Sequence, residues 1–382
     1  MSYLRPYLGN TKIADNIQYR LQTVLDNKAV FRYATESQYC RQAERLLQNI
    51  LHTQHAILLT NGTVALKAAL LGLRPKIGQW VLIPSISFIA TANAALSCGL
   101  IPVLVDVDDN GMMCPEALNK TLNQMDTKPL AVIAVHLEGT AASIAKIAQL
   151  CQQHNVYLIE DCAQAMGVKY QNQPVGTFGE YGSFSFQGNK LISSGEGGLL
   201  IAKNHSLFIN ACMMTDHGAE RTTEGYPDWS HSIGFGDNNK FNEIQAALLI
   251  NQLENIEQFR ALLIERYQEI LKYFPIDWIT PRPAGTIPVS VWLKRSKLPK
   301  DRVNSTLLYD WQAWDLANHP IIKNQLSPYS DRFPWALQDS PLPGSALEKH
   351  KVIVSDRICL PVPIDNAIYE NVLQWAMEGN LS

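Results

Sequence analysis

Short apolar runs alternate with amphipathic stretches through the first half of the chain. The runs are rich in Val, Ile, Leu and Ala, and the stretches between them have the apolar period of helices. The runs predicted as strands span residues 56–60, 80–84, 101–106, 130–136 and 156–161, and the helices span 64–73, 89–96 and 143–154. Near-continuous apolar strands that alternate with helices are typical of a parallel sheet covered on both faces. The pattern therefore predicts an α/β fold.

Polar or aromatic residues follow several of these strands. Residues 60–63 follow the first strand, and Phe88, His136 and Asp161 stand at or just beyond the ends of later ones. Ligands of open α/β sheets bind beyond the carboxyl ends of the strands. We therefore expect one crevice to collect these residues.

The turn Asn61-Gly-Thr63 connects the first strand to a helix. Strand, glycine turn and helix together present free backbone N–H groups and the positive helix end to an anion, commonly a phosphate. The same residues also suit an ordinary connection in which Asn61 and Thr63 only cap the helix. A motif this short does not decide between the two.

One lysine lies between two further apolar strands. Residues 183–186 and 199–202 are β-prone, and Lys190 stands in the polar turn between them, followed by glycines at 195, 197 and 198. Lys190 held in this way suits an amine nucleophile that forms a Schiff base with a carbonyl. The alternative is a hairpin turn with Lys190 as an exposed residue at the end of a strand.

The composition changes beyond the middle of the chain. Residues 242–274 read as one long amphipathic helix, and prolines become frequent after it. A strand over 289–293, the run 359–363 and a helix over 368–377 follow. We predict an N-terminal segment (1–20), a large domain (21–250) and a smaller C-terminal α+β domain (251–382).

Composition excludes several classes of protein. The 382 residues are 46% hydrophobic and 18% charged, which is enough for a large core and a second, smaller domain, and the formal net charge of −3 argues against a nucleic-acid surface. The seven cysteines are scattered without a C-x-x-C pair, which argues against a disulfide framework and a zinc site. The N-terminus lacks the features of a signal peptide, and no apolar run is long enough to span a membrane. We predict a cytoplasmic protein without a metal site or a membrane contact.

Lys190 and Asp161 together suit pyridoxal 5'-phosphate (PLP). This cofactor needs a lysine for its aldehyde, an acid for its pyridine nitrogen, an anion site for its phosphate and an aromatic wall for its ring. Asp161 ends a strand at the crevice and could keep the pyridine nitrogen protonated. The alternative is that Asp161 caps a helix starting at Cys162.

Seven ordered segments make the chain similar to a known family. They are Asn61-Gly-Thr-Val-Ala-Leu66, Pro84-Ser-Ile-Ser-Phe-Ile-Ala-Thr-Ala-Asn93, Glu160-Asp-Cys-Ala-Gln-Ala165, Ser183-Phe-Ser-Phe-Gln-Gly-Asn-Lys190, Gly195-Glu-Gly-Gly198, Asp216-His-Gly218 and Asn242-Glu-Ile-Gln-Ala-Ala247. In this order they resemble the DegT–StrS family of PLP-dependent sugar aminotransferases, from about residue 15 to 265. The resemblance implies the fold type I architecture of PLP enzymes, in which a large domain with a mainly parallel sheet precedes a smaller domain.

The resemblance assigns the catalytic pair and the residues around the cofactor ring. Lys190 matches the Schiff-base lysine, and Asp161 matches the acid that faces the pyridine nitrogen. Gln164 matches the residue that lies against the ring and its phenolic oxygen, and Phe88 matches the stacking aromatic.

Four more residues match phosphate ligands of the family. Gly62, Thr63 and Ser185 match ligands of the cofactor phosphate within one chain. Asn238 matches a residue that reaches the cofactor phosphate of the partner subunit, so the resemblance implies a homodimer with shared active sites.

The chain departs from the family pattern at several positions. It reads Asn238-Asn-Lys-Phe-Asn242 where the family often has Asn-Tyr-Arg before its next motif. It has Glu138 in place of the usual aromatic residue and Thr140 in place of a common glutamine. The last two positions lie near the substrate in the family, so the substrate is expected to differ.

The resemblance implies transfer of an amino group from glutamate or glutamine to a keto-sugar or keto-cyclitol in a ping-pong cycle. The runs 30–33 and 184–190 look most like members that act on free ketosugar acids or inososes. A nucleotide-sugar aminotransferase, a PLP-dependent lyase or condensing enzyme, and a non-enzymatic binding module remain alternatives. Some relatives have histidine in place of the lysine and catalyse dehydration, so Lys190 favours transamination.

Overall fold

A computed structural model of the chain describes residues 17–36, 38–222, 226–231, 234–327, 331–337 and 347–378. Most of the predicted N-terminal segment, residues 1–16, lies outside this description. Within the described residues the α-helices are α1 (Ile17–Asp26), α2 (Tyr39–Leu51), α3 (Gly62–Gly72), α4 (Ala90–Ser97), α5 (Pro115–Gln124), α6 (Ile144–Gln153), α7 (His205–Thr215), α8 (Glu243–Glu254), α9 (Ile256–Leu271), α10 (Lys300–Val303), α11 (Pro320–Lys323), α12 (Glu348–Asp356) and α13 (Asn366–Glu378).

The strands of the described residues form one large sheet and three small ones. In chain order they are β1 (Ala56–Leu59), β2 (Trp80–Pro84), β3 (Ile101–Val105), β4 (Ala131–Val135), β5 (Tyr157–Asp161), β6 (Lys169–Tyr170), β7 (Gln173–Pro174), β8 (Tyr181–Ser185), β9 (Gly198–Ala202), β10 (Glu220–Arg221), β11 (Pro227–Asp228), β12 (Ser290–Lys294), β13 (Tyr309–Asp310) and β14 (Arg357–Pro361). The large sheet has the order β1-β9-β8-β5-β4-β2-β3. β9 runs antiparallel to both of its neighbours, and the other pairings are parallel, as predicted.

Both faces of the large sheet are covered. Ile57 and Leu59 of β1 pack into one buried cluster, and Leu58 between them packs into another on the opposite face. Side chains alternate between the two faces of a strand, so a strand buried on both faces contains no polar alternation. This arrangement explains the continuous apolar runs in the sequence.

The sheet brings the ends of distant segments together. β5 ends at Asp161 and pairs in parallel with β8, where Asp161 lies opposite Ser183. On its other side β5 pairs in parallel with β4, which ends at Val135. The loops that follow these strands therefore leave the sheet at the same edge.

The predicted long helix over 242–274 is wrong in one respect. It is divided into α8 and α9 at Asn255, whose φ and ψ of −112° and 11° are not helical. The Asn255 side chain donates to the Asn251 carbonyl oxygen at 2.7 Å. Asparagine competes with the helix backbone in this way, which favours a break that the apolar period does not reveal.

The C-terminal part contains an antiparallel sheet of β12, β14 and β13, with β14 in the centre. Its buried residues Val291 and Leu360 belong to the same apolar cluster as Leu249 of α8 and Leu58 of β1. A smaller α+β unit thus packs directly on the large sheet and its helices. The division of the chain at residue 250 stays a prediction.

Among the described residues, no helix combines the length and the apolar character that crossing a membrane requires. The cytoplasmic location stays a prediction.

Candidate active site

A cavity of about 460 Å³ opens beyond the carboxyl ends of β1, β2, β4, β5 and β8. Small-molecule sites typically measure roughly 300–1,000 Å³. Seven of the eight residues predicted for the site line this cavity, namely Gly62, Thr63, Phe88, Asp161, Gln164, Ser185 and Lys190. The large sheet thus brings together residues that are separated by up to 128 positions in the chain (190 − 62).

Asn238 is the predicted residue that does not line the cavity. It is exposed on this chain and pairs with Asp216 in an isolated β-bridge. Its neighbour Asn239 accepts a hydrogen bond from the Thr60 N–H at 3.1 Å, so the segment runs close to the end of β1. The role of Asn238 toward a partner's cofactor stays a prediction.

Asp161 is buried at the floor of the cavity. The Thr91 hydroxyl donates to its Oδ2 at 2.9 Å, and the Ala163 N–H donates to its Oδ1 at 3.2 Å. Burial raises the pKa of the Asp161 carboxyl above its ordinary value of 3.8, against the opposing effects of these two donors and of Lys190. A turn, not a helix, follows Asp161, so the alternative in which it caps a helix is wrong.

Lys190 lies in the turn that follows β8. Its N–H donates to the Gln187 carbonyl oxygen at 2.9 Å, and its half-buried side chain lines the cavity. β8 and β9 are antiparallel neighbours, so the alternative of a hairpin connection is correct. The part of that alternative in which Lys190 is an exposed residue is wrong, because Lys190 is half-buried and lines the same cavity as Asp161.

The start of α3 forms one wall of the cavity. Asn61 caps the helix by accepting from the Val64 N–H at 2.9 Å, and the N–H groups of Gly62 and Thr63 stand in the first turn, where no intrahelical acceptor exists. A Cβ at Gly62 would lie 3.1 Å from the Ser185 Cβ. The backbone of α3 thus comes close enough to β8 for one anion to contact Gly62, Thr63 and Ser185. Asn61 can therefore cap α3 while the N–H groups of Gly62 and Thr63 bind an anion.

Gly198→Ala is expected to distort this wall. A Cβ at Gly198 would lie 2.3 Å from the Asn61 carbonyl carbon and oxygen, which are backbone atoms that cannot rotate away. We expect a loss of roughly 2 kcal/mol or more in the free energy of unfolding, measured by urea denaturation. We also expect weaker phosphate binding at α3.

The control for that variant is Gly234→Ala, because a Cβ at Gly234 would meet no atom of the described residues within 4 Å. It should leave both quantities nearly unchanged. Equal stabilities for Gly198→Ala and Gly234→Ala would show that the close approach of β9 to α3 is not required.

Phe88 stands at the mouth of the cavity, with 57% of its surface exposed. Ser87, just before it, donates its N–H to the Trp314 carbonyl oxygen at 2.9 Å, so the C-terminal part supports this loop. Trp311 and Trp314 are themselves buried and pack in the apolar core. Gln164 lines the cavity beside Asp161, and its Oε1 accepts from the Glu138 N–H at 3.2 Å.

The sequence reasoning did not single out Thr91, Ser87 or Glu160. Ser87 lines the cavity, and its hydroxyl lies 2.7 Å from the Thr91 hydroxyl, which in turn donates to Asp161. Glu160 accepts the N–H groups of Gly176, Phe178 and Gly179 at 2.7–2.9 Å. Thr91 and Ser87 lie within the segment 84–93, which is one of the segments that resemble the family. That resemblance was the feature of the sequence that could have pointed to them.

His136, Glu160 and Cys162 form a buried group of metal-type ligands within the described residues. The His136 Nδ1 accepts from the Ala142 N–H at 3.0 Å, so its proton is on Nε2, which lies 3.1 Å from Glu160 Oε2. Three backbone N–H groups also contact that carboxylate, so hydrogen bonding accounts for the positions of His136 and Glu160.

The fold is that of the fold type I aminotransferases, and its cavity brings together a lysine and an acid from two adjacent strands and their loops. The chain matches the model of the DegT/DnrJ/EryC1/StrS aminotransferase family over residues 11–308, and it belongs to that family. The predicted family, fold and enzyme class are thereby confirmed, and the match extends beyond residue 265.

Individual relatives agree with this assignment. A GDP-perosamine synthase of Vibrio cholerae is 32% identical over 263 residues, which are 68% of this chain and 69% of that protein. A putative L-glutamine:3-amino-2,3-dideoxy-scyllo-inosose aminotransferase of Streptoalloteichus tenebrarius is 32% identical over 239 residues, which are 61% of this chain and only 56% of that protein. The crystal structure of a DegT DnrJ EryC1 StrS aminotransferase from Brucella abortus is 25% identical, with a TM-score of 0.78 over 96% of each chain. Aminotransferases of this family depend on PLP.

Proposed function

We propose that this protein binds PLP in the cavity and moves an amino group from glutamate or glutamine to a keto-sugar or keto-cyclitol. The observation that carries the proposal is the placement of Asp161 at the end of β5 and of Lys190 in the turn after the adjacent β8, where both line one cavity with the start of α3. A nucleophilic amine, a buried acid and an anion site are the groups that PLP chemistry requires.

The residues of the cavity fit the cofactor. The N–H groups of Gly62 and Thr63, together with the Ser185 hydroxyl, would hold the phosphate at the positive end of α3. Gly62 supports this assignment, because a Cβ there would narrow the space between α3 and β8. The buried Asp161 carboxylate would gain an opposite charge from a protonated pyridine nitrogen, which offsets the cost of its burial.

Two more residues would hold the ring. Phe88 offers an aromatic face at the mouth of the cavity, and Gln164 offers a carboxamide beside Asp161. Together with Lys190 they account for the remaining requirements of the cofactor.

Bound PLP supplies an electron sink for the bond that is broken at the substrate carbon. Lys190 would act as the base that moves a proton between the substrate carbon and the aldehyde carbon of the cofactor, in one direction with the donor and in the other with the acceptor, because its amine is held within the cavity. Asp161 would keep the pyridine nitrogen protonated, and the Thr91 hydroxyl, which contacts that of Ser87, orients the Asp161 carboxylate. Donor and acceptor use the same cavity in turn, which is a ping-pong cycle.

The acceptor class rests on the relatives and on the departures near the substrate. The name of the Vibrio cholerae relative contains a GDP-linked sugar, and that of the Streptoalloteichus tenebrarius relative contains an inosose and L-glutamine. These names support a sugar or cyclitol ketone as acceptor and glutamine as a donor. A nucleotide-linked acceptor is the second candidate, which the first of these names favours.

We further propose a homodimer with shared active sites. Phe31 is 54% exposed and contacts Tyr33, whose hydroxyl donates to Asp216 at 2.5 Å. Asp216 in turn pairs with the exposed Asn238. An exposed aromatic residue and a polar residue on neighbouring segments suit an interface that brings Asn238 to the partner's cofactor phosphate.

The half-reaction without an acceptor tests the proposal. PLP-loaded protein mixed with glutamine or glutamate should release about one equivalent of the 2-oxo acid per site and then stop, as a ping-pong transaminase does. Adding a keto-sugar or keto-cyclitol should restart the release. Continuous turnover of the donor alone would contradict transamination and favour the lyase alternative, whereas failure to bind PLP would contradict the whole proposal.

A further inference from the structure

Glu138 is a buried acid beside the cavity. It follows the end of β4 by three residues, and none of its surface is exposed. Its φ of +54° lies in the left-handed region, which residues other than glycine adopt uncommonly. Such a conformation persists only where the surrounding structure holds it. This is the position at which the chain departs from the aromatic residue of the family.

The Glu138 carboxylate binds the C-terminal sheet. The Ser290 hydroxyl of β12 donates to its Oε2 at 2.5 Å, and the Tyr309 hydroxyl of β13 donates to the same oxygen at 2.6 Å. Hydrogen bonds to an ionised acceptor are roughly twice as strong as neutral ones. One residue of the large sheet's edge is therefore attached to two strands of the C-terminal sheet.

A buried cation completes this attachment. Arg282 Nη2 lies 3.9 Å from Glu138 Oε2 and donates to Ser290 at 2.9 Å, and Arg282 Nη1 donates to the Glu138 carbonyl oxygen and to Thr140. Burial lowers the pKa of the Arg282 guanidinium, and the Glu138 charge opposes that effect. Glu138 is thus the counter-ion of Arg282, and its loss would leave a buried charge uncompensated.

The backbone of the same loop holds Gln164. The Glu138 N–H donates to Gln164 Oε1 at 3.2 Å, and the Gly139 N–H donates to the Gln164 carbonyl oxygen at 2.9 Å. On the other side, the Gly139 carbonyl oxygen accepts from the Ile287 N–H at 2.8 Å. A Cβ at Gly139 would lie 1.8 Å from the Ile287 carbonyl oxygen, so the two segments are in direct contact.

We propose that Glu138 is a positioning residue, which attaches the C-terminal sheet to loop 137–140 and thereby orients the Gln164 carboxamide toward the cofactor. Gln164 Oε1 accepts the Glu138 N–H and therefore points toward loop 137–140. The NH₂ group of the same carboxamide then points away from the loop and is available as a donor. The proposal rests on the proposed function for the role of Gln164. The attachment itself is independent of the cofactor.

Glu138→Ala tests the proposal, and Asp106→Ala is its matched control. Asp106 follows β3, is also buried, and accepts the N–H groups of Lys349 and His350, so it too joins the large sheet to the C-terminal part. It does not line the cavity. Hydrogen exchange of the cofactor-free protein is followed at residues 137–142 and 282–290. The affinity for PLP and the absorption maximum of the loaded protein are measured separately.

In Glu138→Ala we expect faster exchange of both segments, roughly tenfold weaker PLP binding and a shifted absorption maximum, as for other supporting residues of a site. Glu138→Gln should recover part of the loss, because its amide oxygen still accepts from Ser290 and Tyr309. Asp106→Ala should destabilise the protein without altering PLP affinity or the spectrum.

Exchange that is unchanged in Glu138→Ala would overturn the attachment, whatever the cofactor does. Faster exchange with unchanged PLP affinity and spectrum, or equal changes in Asp106→Ala, would overturn the positioning of Gln164. If Glu138→Ala does not fold, Tyr309→Phe removes one donor and should change the same quantities by a smaller factor. Failure of the unmutated protein to bind PLP would contradict the proposed function, and it is detected before any variant is compared.

Discussion

Lys190→Ala is expected to stop amino transfer almost completely and to leave the fold intact. In the proposed mechanism Lys190 supplies both the amine that binds the cofactor and the base that moves the proton, so the rate should fall roughly 10³-fold or more. The side chain is half-buried in a turn and contributes little to the core, so the free energy of unfolding should change by about 0.5 kcal/mol or less. Release of the 2-oxo acid in a single turnover measures the first effect, and urea denaturation measures the second.

Lys203→Ala is the matched control for Lys190→Ala. Lys203 follows β9, the strand paired with β8, but its side chain is 57% exposed and lies outside the cavity lining. Its removal should leave the single-turnover rate within about twofold, since surface substitutions away from a site have small effects. A Lys190→Ala rate within tenfold of the unmutated protein would rule Lys190 out as the catalytic amine.

Asp161→Asn is expected to weaken catalysis while stabilising the cofactor-free protein. Asparagine keeps the size of the side chain and an acceptor for Thr91 but removes the charge that we propose keeps the pyridine nitrogen protonated. We expect a loss in rate of about 10²–10⁴-fold, the range found for groups that control protonation in catalysis. Thr91→Val, which removes the Thr91 hydroxyl but keeps the carboxylate, should lose much less activity.

The stability of the same variant should depend on pH in a defined direction. Burial raises the pKa of Asp161 above 3.8 in the folded protein, so the folded protein binds this proton more tightly than the unfolded chain does. Stability therefore falls as the pH rises from about 3.8 through the raised pKa, and the full cost is present above it. Asp161→Asn lacks this ionisable group. The amount by which its free energy of unfolding exceeds that of the unmutated protein should therefore grow with pH.

Urea denaturation of both cofactor-free proteins from about pH 4 to pH 9 measures that difference. A constant difference across this range would mean that Asp161 does not titrate with a raised pKa. A difference that grows as the pH falls would mean that its pKa is depressed. Added PLP should reduce the difference in stability between the two proteins, because a ligand stabilises the folded protein that binds it and the unmutated protein keeps the charge of Asp161.

Much of the fold follows from local patterns. The apolar runs at 80–84 and 156–161 end within one residue of β2 and β5, because strands buried on both faces leave no polar residue inside them. Helices such as α5, which begins at Pro115, were missed because they lie between runs without a long apolar period. The break at Asn255 was missed for a related reason, since periodicity does not report a single residue that competes for backbone hydrogen bonds.

The candidate site was predictable where its residues stand at strand ends. Asp161 and Ser185 are the last residues of β5 and β8, and Lys190 lies in the turn after β8, so the parallel pairing of those strands brings the three to one edge of the sheet. The position of Asn238 does not follow from the strand order, because its predicted contact is with another subunit. Thr91 was not predicted, because its hydroxyl contacts Asp161 and does not itself end a strand.

The sequence by itself determined the alternation of strands and helices in the large sheet, the edge of the sheet at which Asp161 and Ser185 stand, and the residue types on which the proposed chemistry of Lys190 and Asp161 rests. These features depend on residues close together in the chain or on the rule that parallel strands end at one edge. The tertiary structure decided the raised pKa of Asp161, the close approach of Gly198 to α3 and the partners of Glu138. Arg282 lies 144 positions from Glu138. Burial, close contact and ion pairing between such distant residues arise only when the chain packs, because they depend on the surroundings in space and not on neighbours in sequence.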